Sequence, residues 1–158
     1  MKITIIAVGK IKEQFFCDAV LEYKKRISRF SSVEIIEVKD EKIPENASEK
    51  ENIAILEKEG DAILQKIPKN TFKIAMCIEG TSLSSTDFSE KIDTIKAQYS
   101  NIVFIIGGSL GLSEKVKSVS DMRLSFGKIT LPHQLMRVVL LEQIYRAFKI
   151  SANETYHK

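Results

Sequence analysis

The sequence has few of the residues that build disulfide frameworks or metal sites. Its 158 residues include two cysteines, Cys17 and Cys77, and two histidines, His133 and His157. Neither cysteine has a CxxC partner, and no pair among these four residues has the spacing of metal ligands. We therefore expect reduced thiols in the core and no bound metal.

Long apolar runs are also missing. No stretch approaches the roughly 20 apolar residues that a membrane-spanning helix needs. The opening run, Ile3–Val8, has the length of a buried strand rather than that of a signal peptide. These absences predict a cytoplasmic protein without a membrane partner.

Two common nucleotide-binding motifs do not occur in the sequence. The glycines of Gly107–Gly111 stand at the first, second and fifth positions, whereas a dinucleotide fingerprint needs GxGxxG. No GxxxxGKS or GxxxxGKT phosphate loop is present either. Two interpretations of the glycine segment stay open: a tight turn at which a ligand approaches backbone amides, or a turn that only connects two elements.

Basic residues concentrate at both ends of the chain, although the formal net charge is only +3. Residues 1–30 carry seven Lys or Arg against three acids, and residues 121–158 carry six against three. Residues 37–61, in contrast, carry nine acids against four bases. Basic ends suit a phosphate backbone laid across the termini, and an ordinary solvated surface with chance clustering is the alternative.

Apolar periodicity predicts a single α/β domain that spans residues 1–158. The predicted strands are 3–8, 33–38, 72–78, 102–106 and 122–126, and the predicted helices are 12–30, 48–67, 85–99, a short one from 113, and 134–149. Strand 33–38 alternates apolar and acidic residues, as a half-exposed or edge strand does, whereas 102–106 is wholly apolar, as a central strand is. This alternation of strands and helices predicts a mostly parallel sheet with flanking helices.

The last predicted helix is apolar around most of its girth. Its apolar residues, among them Leu140, Ile144 and Phe148, cover more than one stripe. Such a helix must be buried on several sides, and a terminal helix of a small domain achieves that most easily against a second copy. We therefore expect a homodimer held by this helix.

Ligands of open α/β sheets collect at the carboxyl ends of the strands. The loops after the third, fourth and fifth predicted strands are therefore candidate site loops. His133 follows Pro132 at the start of the last helix, where a capping or core role and a chemical role both stay open. His157 lies in a polar tail, which is either disordered or held over a site.

Several long motifs occur in a characteristic order. They are FIIGGSLGL at 104–112, LSF at 124–126, PHQ at 132–134 followed by Arg137, EQ at 142–143 and YRA at 145–147. With these motifs the chain resembles, over its whole length, the ribosomal large-subunit pseudouridine N3-methyltransferase family, a minimal member of the knotted SPOUT superfamily. The resemblance implies a deep C-terminal trefoil knot, S-adenosylmethionine as cofactor, and methylation of 23S rRNA in an intersubunit-bridge stem-loop of the assembled ribosome.

The resemblance also places the cofactor-binding positions at the ends of the knot strands. These positions are Met76, Gly107, Phe126, Gly127, Lys128, Ile129, Thr130 and Leu131.

The acceptor N3 carries a weakly acidic proton, so a base or a water network must remove it. We expect His157 to act as the base, Tyr156 to orient it, and Arg137 or Lys158 to contact phosphate. Two alternatives stay open: a transfer-RNA or ribose methyltransferase of the same superfamily, and a non-catalytic RNA-binding or ribosome-associated module.

Overall fold

Strands and helices alternate along the chain in the computed structural model, which describes residues 1–156. Within these residues the elements are β1 Lys2–Val8, α1 Gln14–Ile27, β2 Ser32–Val38, α2 Glu49–Leu64, β3 Phe72–Ser82, α3 Ser85–Lys96, β4 Asn101–Ile106, α4 Glu114–Val119, β5 Met122–Ser125 and α5 His133–Ser151. No helix in this part of the chain is both long and apolar enough to cross a membrane.

The five strands form one parallel sheet in the order β2-β1-β4-β3-β5. β2 lies at one edge, and β4 lies at the centre with Ile102–Ile106 fully buried. The predicted α/β class, the edge strand and the central strand are therefore confirmed. The deep trefoil knot stays a prediction.

β3 continues four residues beyond its predicted end at 78. A register shift after Met76 lets Thr81 and Ser82 pair with Leu124 and Ser125 of β5. A Cβ on Gly80 would come within 2.7 Å of the Leu124 backbone, so this close crossing requires glycine. The polar run 79–82 has a sequence typical of a loop. It forms a strand only because it pairs with β5 in the folded chain.

Helices cover both faces of the sheet. α1, α3 and α5 pack on one face, where Ile5 and Phe104 belong to the larger core. α2 and α4 cover the other face through a smaller core that includes Ile63 and Val116. The loops that follow β3, β4 and β5 therefore emerge between these two layers of helices.

α5 lies between α1 and α3, against the sheet. Leu140 and Ile144 are 0% exposed, and Phe148 is 5% exposed, within a single copy of the chain. The prediction that these three residues hold a dimer together is therefore wrong. Their apolar surface is covered by the chain's own sheet and helices, so they cannot contact a second copy.

Candidate active site

A cleft of about 360 Å³ opens at the carboxyl ends of β3, β4 and β5. This is within the usual size range of small-molecule sites. Seven of the eight positions predicted to bind cofactor line it: Met76, Gly107, Phe126, Gly127, Ile129, Thr130 and Leu131. Lys128 is not among the lining residues. The structure thus brings three loops, distant in sequence, around one cavity.

The glycine loop closes on itself at the floor of this cleft. Gly111 N–H donates to the Gly108 carbonyl at 3.0 Å, and Gly111 has a φ of +82°. A Cβ on Gly107 would overlap the carbonyl group of Gly111. Glycine at 107 is therefore required by the turn itself, because two backbone segments pass too close for a side chain.

We expect Gly107→Ala to weaken S-adenosylmethionine binding by more than about tenfold, because the added methyl forces Gly111 away and reshapes the floor of the cleft. Isothermal titration calorimetry with S-adenosylhomocysteine measures this change. Ser109→Ala, in the same loop but without a backbone clash, is the matched control. Wild-type affinity in a folded Gly107→Ala protein would contradict the assignment of the loop to cofactor binding.

Residues of α2 support the back of the glycine loop. Glu59 is 6% exposed; one carboxylate oxygen accepts from Glu41 N–H at 2.9 Å and the other lies beside Gly108. Burial raises the pKa of Glu59. A Cβ on Gly60 would overlap the Ser113 hydroxyl. Sequence reasoning missed this contact, although a glycine inside a helical pattern is a signal of close packing.

Lys117 of α4 also lines the cleft. Its ammonium group pairs with Glu79 and with Glu114, the latter at 3.1 Å. Burial opposes the charged form, but the two carboxylates outweigh it and the pKa of Lys117 is raised. The cleft therefore contains a fixed, neutralised cation that the sequence pattern did not single out.

Arg137 is fully buried at the start of α5. Its guanidinium donates to Glu37 at 2.8 Å, to the Gly9 carbonyl at 2.5 Å and to the Val8 carbonyl at 3.3 Å. The expected contact with phosphate is corrected here, because 0% of the side chain is open to solvent. Arg137 instead holds α5 against the carboxyl end of β1.

His133 lies one turn before Arg137 and lines the cleft together with Met136. Its Nδ1 is 3.2 Å from the Arg137 guanidinium, and its ring edge packs on Gly9. Burial and then the charge of Arg137 lower the pKa of His133. Of the two roles that the sequence left open for His133, the structure places the ring where a chemical role is possible.

Tyr156 lies against α5 rather than in the cleft of its own chain. Its hydroxyl donates to Glu142 at 3.3 Å, and its ring packs on Tyr145 and Arg146. Burial and Glu142 raise the pKa of Tyr156. These contacts lie about two helical turns beyond Met136, which lines the cleft. His157 and Lys158 lie outside the described residues, so the structure does not bring the predicted catalytic set together.

Metal-binding chemistry has no obvious centre in the described part of the chain. No group of three or more His, Cys, Asp or Glu residues within 1–156 is arranged to hold a metal ion. Cys17 and Cys77 are free and half-buried, and Cys77 lines the cleft. Burial raises the pKa of Cys77, so its thiol stays protonated near neutral pH.

Comparison with known proteins gives full-length matches. Residues 1–157 match the family described as predicted SPOUT methyltransferase. The chain is 57% identical over 160 residues to ribosomal RNA large subunit methyltransferase H of Clostridium tetani, and 55% identical over 159 residues to the protein of that name from Streptococcus uberis, with 100% of each chain covered. A solved structure of a probable methylase family protein from Haemophilus influenzae shares the fold, with a TM-score of 0.57 and 14% identity over 99% of this chain and 70% of that one.

Proposed function

The chain belongs to the SPOUT methyltransferase family, and from that membership we propose that it transfers a methyl group from S-adenosylmethionine to N3 of a pseudouridine in 23S rRNA. The proposed substrate is the intersubunit-bridge stem-loop of the assembled large subunit, and the proposed place of action is the cytoplasm. The observation that carries the proposal is identity of 54–57% over the full length of relatives named for large-subunit rRNA methylation.

The residues of the cleft fit an adenosyl group. Apolar side chains form its walls, among them Ile106 and Leu131, and two glycines leave backbone accessible. Gly111 and Gly127 have φ of +82° and +114°, and a Cβ on either would meet nothing within 4 Å. We infer that the adenosyl group packs on these walls and is held by backbone groups of the loops.

When bound, S-adenosylmethionine supplies an electrophilic methyl group. The chain's own residues have to position donor and acceptor, exclude water and accept the N3 proton. Apolar walls exclude water, and the glycine loop supported by Glu59 fixes the cofactor's position. We propose that His157 accepts the proton and that Tyr156 orients it.

We propose that the protein acts as a homodimer and that the C-terminal tail completes the partner's cleft. Residues 154 and 156 of the tail contact α5 and the turn after α1: Glu154 pairs with Lys149 and, at 2.7 Å, with Arg29, and Tyr156 contacts Glu142. These contacts hold Glu154 and Tyr156 outside the cleft of their own chain. A second copy is the simplest way to bring a tail and a cleft together.

The dimer surface that we propose is the side of α5 that faces away from its own core. Leu135 and Val139 are spaced four residues apart and are half-buried. Val139 borders a second, shallower cleft next to Phe126 and Gly127. In the same loop Ile129 is 82% exposed, which leaves apolar surface for a partner to cover.

We expect Val139→Glu to give folded monomers with little methyl transfer, because a charge on this surface opposes association. Ile144→Glu is the matched variant on the same helix; it should unfold the chain, because it buries an unpaired charge in the core. Sedimentation measures the oligomeric state, and circular dichroism measures folding. A fully active Val139→Glu monomer would contradict the proposed dimer surface.

Mass spectrometry of 23S rRNA tests the proposed function directly. A strain that lacks this chain should lose one methyl group on a pseudouridine, and the restored chain should return it. Purified protein should also methylate assembled ribosomes and bind S-adenosylhomocysteine with measurable heat. Methylation of transfer RNA or of a ribose instead would overturn the substrate, and the absence of binding heat would favour a non-catalytic module.

A further inference from the structure

The hydrogen bond between His133 and Arg137 fixes which imidazole nitrogen carries the proton. A guanidinium has only donors, so His133 Nδ1, 3.2 Å from Arg137 Nη2, must accept. Neutral imidazole has one donor and one acceptor. The proton therefore resides on Nε2.

The guanidinium of Arg137 is held in place by its other contacts, so the Nε2–H tautomer of His133 is maintained. Nη1 donates to Glu37 and Nη2 to the carbonyl groups of Val8 and Gly9, whereas Nε has no hydrogen-bond partner within residues 1–156; the side chain is fully buried. The ring of His133 is held from its other side by Gly9, whose Cβ, if present, would be 2.9 Å from Cε1. Glu37, Arg137 and His133 thus form a rigid chain of contacts from β2 to the cleft.

The free nitrogen of His133 belongs to a residue that lines the cleft. Among residues 1–156, Nε2 has no hydrogen-bond partner, and it is not one of the buried polar atoms without a partner. A positioned N–H donor with no protein acceptor is available to a ligand. The mechanism proposed above assigns it no role.

We propose that His133 donates its Nε2–H to a carbonyl oxygen of the pyrimidine base that is methylated. This inference rests on the proposed function. N3 of pseudouridine lies between two carbonyl groups, and negative charge spreads onto both oxygens as N3 loses its proton. A donor that is already in place stabilises this charge in the transition state. His133 keeps its own proton throughout, and the N3 proton leaves to a different acceptor.

The surroundings keep His133 in the required neutral state. Burial and Arg137 lower its pKa, and Lys12 acts in the same direction, whereas Asp40 and Glu37 oppose them. The net direction is downward, so the imidazole is neutral near pH 7. A neutral donor lets the base approach without the desolvation cost of a buried charge.

Two amide variants separate the two nitrogens of the ring. In His133→Asn the amide lies near Nδ1, so it can accept from Arg137 but presents no donor at the position of Nε2. In His133→Gln the amide lies near Nε2 and can restore that donor. We expect His133→Asn to lower kcat on ribosomes by about a hundredfold, and His133→Gln to stay within about fivefold of wild type. S-adenosylhomocysteine affinity should stay unchanged in both.

The control is Gln134→Ala, at the next position of the same helical turn. Its amide oxygen accepts from Lys12 N–H at 2.8 Å and Gln134 does not line the cleft, so kcat should not change. Nitrogen-15 NMR of the imidazole gives a readout that does not depend on activity. It should report a neutral Nε2–H tautomer near neutral pH.

The following results would overturn the inference. A wild-type rate in His133→Asn, an equal loss in both amide variants, or a proton on Nδ1 would exclude the proposed donor. Weakened S-adenosylhomocysteine binding in both variants would assign His133 to the cofactor instead. If the wild-type protein does not methylate pseudouridine in ribosomes, the proposed function is wrong. The NMR measurement tests the tautomer of His133 independently of that result.

Discussion

Deletion of His157 and Lys158 is expected to lower methyl transfer by about a hundredfold or more, the usual contribution of a positioned proton acceptor. Stability should hardly change, because Tyr156 keeps its contacts with Glu142 and Arg146. An earlier cut, after Asn153, would also remove Glu154 and its ion pairs with Arg29 and Lys149, so it tests activity less cleanly. Single-turnover transfer to ribosomes and thermal unfolding measure the two effects.

Two point variants separate the roles of the deleted residues. His157→Ala should lose most of the rate, and higher pH should partly restore it, because more of the N3 is then already deprotonated. Lys158→Ala should instead raise KM, and its difference from wild type should shrink as salt rises, because the variant has lost one salt-sensitive phosphate contact. Ribosomes methylated at the wild-type rate by the shortened chain would show that the proton leaves by another route.

Arg137→Leu is expected to destabilise the fold by ~3 kcal/mol, because removal of one partner of a buried ion pair leaves the others unpaired. The Val8 and Gly9 carbonyls would lose their donor in a dry environment, and Glu37 would lose its cation. Cofactor binding should weaken as well, since Arg137 holds the start of α5 in place beside the cleft. Urea unfolding and calorimetry with S-adenosylhomocysteine measure these effects.

Glu37→Gln is the matched control for this variant. The Glu37 side chain is 35% exposed, and an amide oxygen can still accept from Arg137. We therefore expect a loss of only about 1 kcal/mol. If Arg137→Leu were as stable as wild type while transfer fell and KM for ribosomes rose, Arg137 would have to reach phosphate in the complex, and its structural role would be refuted.

Most elements of the fold could be predicted from the sequence, because their cause is local. The apolar run 102–106 is typical of a central strand, and the alternation in 33–38 is typical of a half-exposed or edge strand. The sheet order was beyond the sequence pattern, since periodicity says nothing about which strands are neighbours. The length of β3 was underestimated for the same reason: Thr81 and Ser82 are strand residues only because β5 pairs with them.

Part of the candidate site could also be predicted from the sequence, and part could not. The three loops could be located because parallel strands end on one edge of the sheet, and seven of the eight positions that the resemblance identified line the cleft. Arg137 could not be placed correctly, because arginine in a sequence is expected at the surface unless a partner is known. Its partners, Glu37 and the carbonyl of Gly9, lie 100 and 128 positions away. The same long-range contact makes His133 a donor.

The position of α5 after all five strands in the chain affects how the protein folds during synthesis. α5 covers the face of the sheet on which Ile5 and Phe104 lie, and Arg137 satisfies carbonyl groups of residues 8 and 9. A growing chain therefore carries a partly uncovered apolar face until residues 133–151 are translated, several seconds after β1 at usual elongation rates. If translation pauses before residue 133, this apolar face stays exposed and the intermediate is prone to aggregate. We therefore expect shortened products to need chaperones and to be degraded rapidly.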